Sequence, residues 1–243
     1  GRMPPERRAT LRAFVSADGL HWQGWQPDPL LIAPDDPWPM FDSHNVAFWD
    51  AVQQQYVLYA RGWLEPGIRA IRRAVSSDFR TWSEFQFIDM GDTPPEHLYK
   101  NAATPYFRAP HLYLMFPKRF VPQRKFHADY QHDGLSETVF MTSRDGLHWD
   151  RRFMEGYLRP GPDPLNWVDR NIYTGVGVVP TGPAEISLYY LEHYHHPTCR
   201  IRRATLRTDG FVSVNAPYKG GEFITKPLTF AGKELTINYA TSV

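Results

Sequence analysis

Ser143-Arg144-Asp145-Gly146-Leu147-His148-Trp149 decides how the rest of the chain is read, because it recurs. Ser16-Ala17-Asp18-Gly19-Leu20-His21-Trp22 matches it at six of seven positions, and Ser76-Ser77-Asp78-Phe79-Arg80-Thr81-Trp82 keeps the Ser, the Asp and the Trp. Thr208-Asp209-Gly210-Phe211 is a weaker fourth copy, and Asp18, Asp78, Asp145 and Asp209 fall 60, 67 and 64 residues apart. Self-similarity at such a period is the signature of a repeat architecture. In physical terms S-x-D-G-x-x-W is a tight turn between two strands. Asp bonds its own backbone, Gly accepts positive φ, and the Trp opens the next strand and buries a large apolar surface.

Composition agrees with a chain of strands and turns. The 243 residues suffice for one large domain with a substantial core. Aromatics make up 15%, with 8 Trp and 13 Tyr beside 22 Pro and 17 Gly, which suits β structure and an aromatic-lined cleft. A formal charge of +1 leaves no basic footprint for nucleic acid. No run of 18 apolar residues exists, so no membrane partner is expected. The lone Cys199 excludes an internal disulfide framework and leaves the compartment open. No signal peptide stands at the start, where Gly1-Arg2-Met3 leads directly into half a repeat, as in a chain cut mid-repeat.

In chain order, Leu11-Arg12-Ala13-Phe14-Val15 is a short strand before the first turn, and residues 27–39 form a Pro- and Asp-rich connection containing Trp38. The first complete repeat has strands at Asn45-Val46-Ala47-Phe48-Trp49 and Tyr56-Val57-Leu58-Tyr59-Ala60, then at 68–75 and 82–87. The second repeat starts at Ala102-Ala103-Thr104-Pro105-Tyr106-Phe107 and Leu112-Tyr113-Leu114-Met115-Phe116. A polar insertion, residues 117–136, then precedes a strand at Thr138-Val139-Phe140-Met141, and a loop of that length is read as an access rim or as solvated surface. The third repeat has strands at 173–179, 186–191 and 199–206. Ile71-Arg72-Arg73-Ala74 returns in it as Ile201-Arg202-Arg203-Ala204. The expected fold is all-β, a β-propeller five-bladed in its complete form, with four-stranded antiparallel blades and an incomplete ring here. Residues 1–226 hold the blades, the first one partial, and the alternative, an all-β sandwich, would not explain the repeated turn. Residues 227–243 either close the ring or begin a second β domain.

Each complete repeat opens on a basic residue and an Asn: His44-Asn45, Lys100-Asn101 and Arg170-Asn171. Asp42, Glu96 with His97, and Asp169 stand just upstream. First strands of propeller blades line the axis, so these groups are expected to converge on one end of a funnel. The Asn residues either bond neighbouring backbone or contact a ligand. Buried carboxylates need partners or a function.

With these features the chain resembles the five-bladed β-propeller glycosidases of glycoside hydrolase families 32, 43 and 68, most closely family-32-like proteins. The resemblance rests on the blade plan, the S-x-D-G-x-x-W turns and Phe41-Asp42-Ser43-His44-Asn45. It implies hydrolysis of a glycosidic bond by axial carboxylates: Asp42 as nucleophile or base, Asp169 as a second axial acid, and Glu192 as general acid with Glu96 and Glu137 as rivals. The Asn-Asp-Pro-Asn-Gly, Arg-Asp-Pro and Glu-Cys-Pro signatures of family 32 are absent. His44, Asn45, Trp63, Glu96, Lys100, Asn101, Arg170 and Asn171 are the expected substrate contacts. Trp38, Tyr99 and Trp167 are further aromatics for stacking on a sugar. Such chemistry needs one protonated and one ionised carboxyl on opposite faces of a sugar, and basic neighbours could separate their pKa values. The expected partner is an oligo- or polysaccharide, with no cofactor and no metal. His193-Tyr194-His195-His196 has donor spacing without acidic or Cys partners beyond Glu192. A non-catalytic glycan-binding propeller and a protein-interaction propeller stand as alternatives.

Overall fold

The structure, a computed structural model, describes residues 8–33, 40–42, 44–65 and 67–240. Ser43 and residues 34–39 of the 27–39 connection, Trp38 among them, lie outside the described residues. The fold is all-β: several small antiparallel sheets, with a single 3-10 turn at Pro164–Asn166 as the helical element among the described residues. No helix among them is long and apolar enough to cross a membrane. The chain divides into two compact units, Gly1–Thr208 and Asp209–Val243.

In the first unit, β1 (Thr10–Leu11) pairs with β4 (Leu31–Ile32), and β2 (Phe14–Val15) pairs with β3 (Gln23–Gly24) around the first turn motif. The first complete repeat is a four-stranded meander of β5 (Val46–Asp50), β6 (Gln55–Leu64), β7 (Ile68–Ser76) and β8 (Gln86–Phe87). Nine of their 26 residues are Val, Ile, Phe or Tyr, types that a pleated and half-buried surface favours. Residues 57–62 of β6 are buried throughout, which fits a strand covered on both faces.

The second repeat departs from expectation. After β9 (His97–Tyr99), β10 (Thr104–Tyr106) and β11 (Ala109–Met115), the polar insertion is not a plain loop. It contains β12 (Lys118–Val121) and β13 (Leu135–Thr138), which pair with each other, and β12 also pairs with β9. The chain then returns through β14 (Met141–Ser143) and β15 (Trp149–Asp150) to complete the sheet β10-β11-β14-β15. Pro117 interrupts the ladder between β11 and β12, as a residue without an N–H must. One long hairpin therefore serves two sheets, with Val139 N donating to Pro117 O at 2.9 Å between them. The charges of the insertion hid this from pattern reading, because all four residues of β13 are buried.

The third repeat supplies β16 (Val179–Gly182), β17 (Glu185–Glu192) and β18 (Arg200–Arg207), with no fourth strand among the described residues. The tetrapeptide Ile-Arg-Arg-Ala sits on third strands in both places, but Ile71 is 2% exposed and Ile201 is 73% exposed. In β18 the arginines lie along an open edge: Arg203 pairs with Glu185, and Arg200 reaches Glu192 at 3.0 Å. Charged side chains on an edge strand discourage further strand pairing. The second unit carries no strand among its described residues.

The turn motif has the same hydrogen bonds in three places. Asp Oδ1 accepts from the backbone N–H groups two and three residues on, at 2.8 Å in each case, in Asp18, Asp78 and Asp145. The Ser hydroxyl donates to that same oxygen, and the Trp indole N–H closes the turn on the carbonyl of Gly19, Phe79 or Gly146. The residue after the Asp has positive φ in all three: 75° at Gly19, 63° at Phe79 and 78° at Gly146. In the weak fourth copy the positive φ falls on Asp209 itself, and the Ser and Trp are missing. Burial of the Trp is not general. Trp149 is 4% exposed and Trp22 is 61% exposed, so the local bonds, not the buried indole, define the turn.

The main core lies between the first two repeats. Val57, Tyr59 and Ile71 pack with Tyr113, Met115, Met141 and Trp149, and Leu98, Ala103 and Val139 complete the cluster. The turns lock it across the two repeats: Tyr59 Oη donates to Gly146 O at 2.6 Å, and Tyr113 Oη bonds Asp50.

Candidate ligand-binding cleft

One end of this assembly holds a cleft of about 260 Å³ lined by Asp42, Arg61, Arg69, Tyr99, Lys100, Lys118, Asp169, Arg170, Tyr173 and Tyr194. These residues come from all three repeats. Asp42 precedes β5, Arg61 is on β6 and Arg69 on β7; Tyr99 ends β9, Lys100 follows it and Lys118 starts β12. Asp169, Arg170 and Tyr173 precede β16, and Tyr194 follows β17. Five residues expected at the site, Asp42, Tyr99, Lys100, Asp169 and Arg170, are thus brought together.

The backbone at two openings repeats an uncommon geometry. Lys100 and Ala102 have φ of 53° and 47°, and Arg170 and Ile172 have 64° and 45°, on either side of Asn101 and Asn171. Positive φ is rare for side chains with a Cβ, and rarer for β-branched Ile172. The buried Asn residues hold these turns. Asn101 Nδ2 donates to His44 O at 3.0 Å and its Oδ1 accepts from Ala103 N. Asn171 Nδ2 donates to Leu165 O at 2.9 Å and its Oδ1 accepts from Tyr194 N at 3.1 Å. Asn45 Nδ2 donates to Phe41 O at 3.0 Å. All three Asn side chains bond backbone, and none lines the cleft.

The other expected residues lie around the cleft. His44 is half-buried beneath it, edge-on to Tyr173 at 6.3 Å. Burial, followed by the charges of Lys100 and Lys118, pushes its imidazole down to about 4, so it is neutral near pH 7. Trp63 lies under the guanidinium groups of Arg61 and Arg69, at 5.0 and 5.3 Å. Glu192 ends β17 outside the cleft lining, paired with Arg200 and, at 3.7 Å, Arg202. Glu96 and Glu137 share Arg119 and line a separate groove, where Glu96 also meets Arg151 at 3.1 Å. Trp167 packs against Phe126 of the insertion at 5.5 Å.

Among His193, His195 and His196, the His195 Nε2 lies 3.9 Å from Asp169 Oδ1. His193 joins Asp163 and Thr198 at 2.8 and 2.7 Å, and His196 Nδ1 meets Thr198 Oγ1 at 2.8 Å. Among the described residues no three His, Cys, Asp or Glu side chains gather into a metal-binding group.

Five cationic side chains face two carboxylates in the cleft. Asp42 pairs with Arg61 at 2.7 Å, and Asp169 with Arg170 at 3.1 Å. The remaining cations sit on aromatic faces: Lys100 Nζ is 3.7 Å from the Tyr173 ring, Lys118 Nζ 4.2 Å from Tyr99, and Arg69 5.0 Å from Tyr99. Lys118 is 0% exposed, and neither its Nζ nor Arg69 Nε has a hydrogen-bond partner among the described residues. Burial, reinforced by Lys100, pushes the Lys118 ammonium from 10.5 down to about 6. Arg61, Arg69, Lys118, Tyr173 and Tyr194 were not expected at the site. A signal for two of them was present. Arg61 and Lys118 are the first cations after the apolar runs of the second strands, at Val57-Leu58-Tyr59-Ala60 and Leu114-Met115-Phe116-Pro117.

A larger, more open groove of about 650 Å³ runs beside Asp89, His148 and Arg152. Its polar groups are already committed, His148 to Asp145 at 2.6 Å, Arg152 to Asp150 and Arg151 to Glu96. The smaller cleft is the one with buried polar groups unmatched, and such groups mark ligand sites.

No protein-family model matches the chain, and no curated protein matches it. Among solved structures it is similar to an N-acetylgalactosamine deacetylase from F. plautii, crystallised in complex with blood group B trisaccharide. The TM-score is 0.50 and the identity 13%, and the match covers 74% of this chain and 53% of that one. The chain therefore spans about half the length of that neighbour, and the likeness is one of fold.

Proposed function

We propose that the first unit is a β-propeller of the glycosidase type whose cleft takes a carbohydrate and cleaves a glycosidic bond. The repeats are its blades and the cleft is its funnel. The observation that carries this reading is the convergence of Asp42 and Asp169, 127 positions apart in sequence, on one cleft with Tyr99, Tyr173 and Tyr194. Two carboxyls facing one sugar are what glycoside hydrolysis requires, and phenol rings offer faces and hydroxyls to a pyranose. Asp42 is the nucleophile or base: its side chain is 61% exposed, open to an incoming sugar. Asp169 is the second carboxylate. The carbohydrate bound by the solved neighbour supports a glycan as the partner of this cleft as well.

A second reading, a glycan-binding propeller without turnover, is favoured by two observations. Both cleft carboxylates are paired with arginine, and Glu96, Glu137 and Glu192 all lie outside the lining. The two are separated by assaying a panel of aryl glycosides and oligosaccharides with the wild type and Asp42→Asn. Turnover that disappears in the variant establishes hydrolysis through Asp42. Binding without turnover by either protein establishes the second reading.

A further inference from the structure

We propose that the sugar taken by this cleft carries an oxyanion, a carboxylate or a sulfate, seated on Lys118 and flanked by Arg69 and Lys100. The inference rests on the carbohydrate reading and deepens it. A neutral sugar does not account for five cations around about 260 Å³ with only two carboxylates to oppose them. Nor does it account for a completely buried lysine Nζ with no hydrogen-bond partner, whose protonated form lacks a counter-charge unless an anion is beside it. Burial of an unpaired charge is unfavourable, and in native proteins such a group is matched by a counter-charge or a ligand. The aromatic seats under Lys118, Lys100 and Arg69 stabilise the cations without neutralising them, which leaves their charge for an incoming anion. Arg61 and Arg170 are taken by Asp42 and Asp169, so the cleft divides into an acid-bearing part and a cation-bearing part. A sugar ring with an acidic substituent has the matching division.

The surroundings of Lys118 also define how binding responds to pH. Its charge is opposed by Lys100, Arg69 and Arg170 and supported by Asp169, with Tyr99 and Tyr173 beneath it and neutral His44 nearby. Lys118 loses its proton above about pH 6 in the empty cleft, so an anion arriving near neutral pH brings a proton with it. Affinity is then expected to fall by up to about tenfold per pH unit between about pH 6 and pH 8.

The test is calorimetric titration with uronate-containing and sulfated oligosaccharides, the same oligosaccharides after carboxyl reduction or desulfation, and inorganic sulfate and phosphate. The expected result is binding confined to the charged glycans, at least about tenfold weaker in Lys118→Met. Arg69→Gln is the second variant, expected to weaken the same glycans should Lys118→Met fail to fold. Equal binding of charged and neutralised forms overturns the inference and leaves the carbohydrate reading standing. Binding of inorganic phosphate or sulfate with no glycan bound overturns the sugar-borne anion in favour of a free one. An absence of binding by every probe overturns both.

Discussion

Replacing Lys118 by Met should make the protein more stable and should flatten part of its pH dependence. The side chain is fully buried on β12, and its ammonium has fallen from 10.5 to about 6. Between those two values the unfolded chain holds a proton that the folded chain has released. Stability therefore rises with pH through that window, and the full penalty is present below about pH 6. The slope is about 1.4 kcal/mol per pH unit, so from about pH 6.5 to pH 8.5 the wild type should gain roughly 2–3 kcal/mol from this group alone. Met keeps the length and apolar stem and titrates nowhere, so the variant lacks that gain. Urea unfolding of both proteins at the two pH values isolates the lysine, because titrating groups distant from it cancel in the difference. The variant should be the more stable at the lower pH, with the gap narrowing by about 2–3 kcal/mol at the higher one. Parallel profiles, or a variant less stable at pH 6.5, would refute the claim that burial without a counter-charge depresses the Lys118 ammonium.

Other substitutions examine the scaffold. Gly146 has φ of 78°, and a Cβ there would lie 2.7 Å from the Tyr59 hydroxyl, whereas a Cβ on Gly19 meets nothing within 4 Å. Gly146→Ala should therefore cost about 2–4 kcal/mol and Gly19→Ala about 1, read as urea midpoints. Asn101→Ala leaves the His44 carbonyl and the Ala103 N–H without their partner, and should lower stability by about 1–3 kcal/mol. It should also weaken ligand binding, since Lys100 is placed by the same turn, and Tm and binding measured together check both. Arg119→Met strips Glu96 and Glu137, 13% and 2% exposed, of their shared cation, and should destabilise by about 3–5 kcal/mol in chemical unfolding near pH 7.

The turns were legible in the amino-acid sequence because their chemistry is local. Ser, Asp and Trp make their bonds within seven residues, and the three copies agree to within a few tenths of an ångström. The burial of each Trp was not legible, because it depends on which sheet lies above the turn. The convergence of Asp42 with Asp169 followed from the period, but Glu96, the matching acid of the second repeat, is held by Arg119 and Arg151 in a separate groove. Lys118 and Arg69 were missed because what distinguishes them is tertiary. Lys118 stands at the head of a charged stretch that looks solvated, and only pairing of β12 with both β9 and β13 buries it. The insertion was misread for the same reason: Ser136, Glu137 and Thr138 are polar yet buried in a paired strand, Glu137 against Arg119 and Thr138 on the carbonyl of Ile172. The Asn residues and two of their basic neighbours part ways in the structure. The Asn side chains turn back to bond backbone, and Lys100 and Arg170 enter the cleft.

The most direct test of the account is a crystal structure of the protein soaked with the oligosaccharide that binds most tightly in calorimetry. The account predicts a sugar in the cleft among the three repeats, with ring hydroxyls in hydrogen-bond reach of Asp42 and Asp169 and an acidic substituent on Lys118. A sugar seated instead in the open groove beside Asp89 and His148, with the cleft empty, would contradict it.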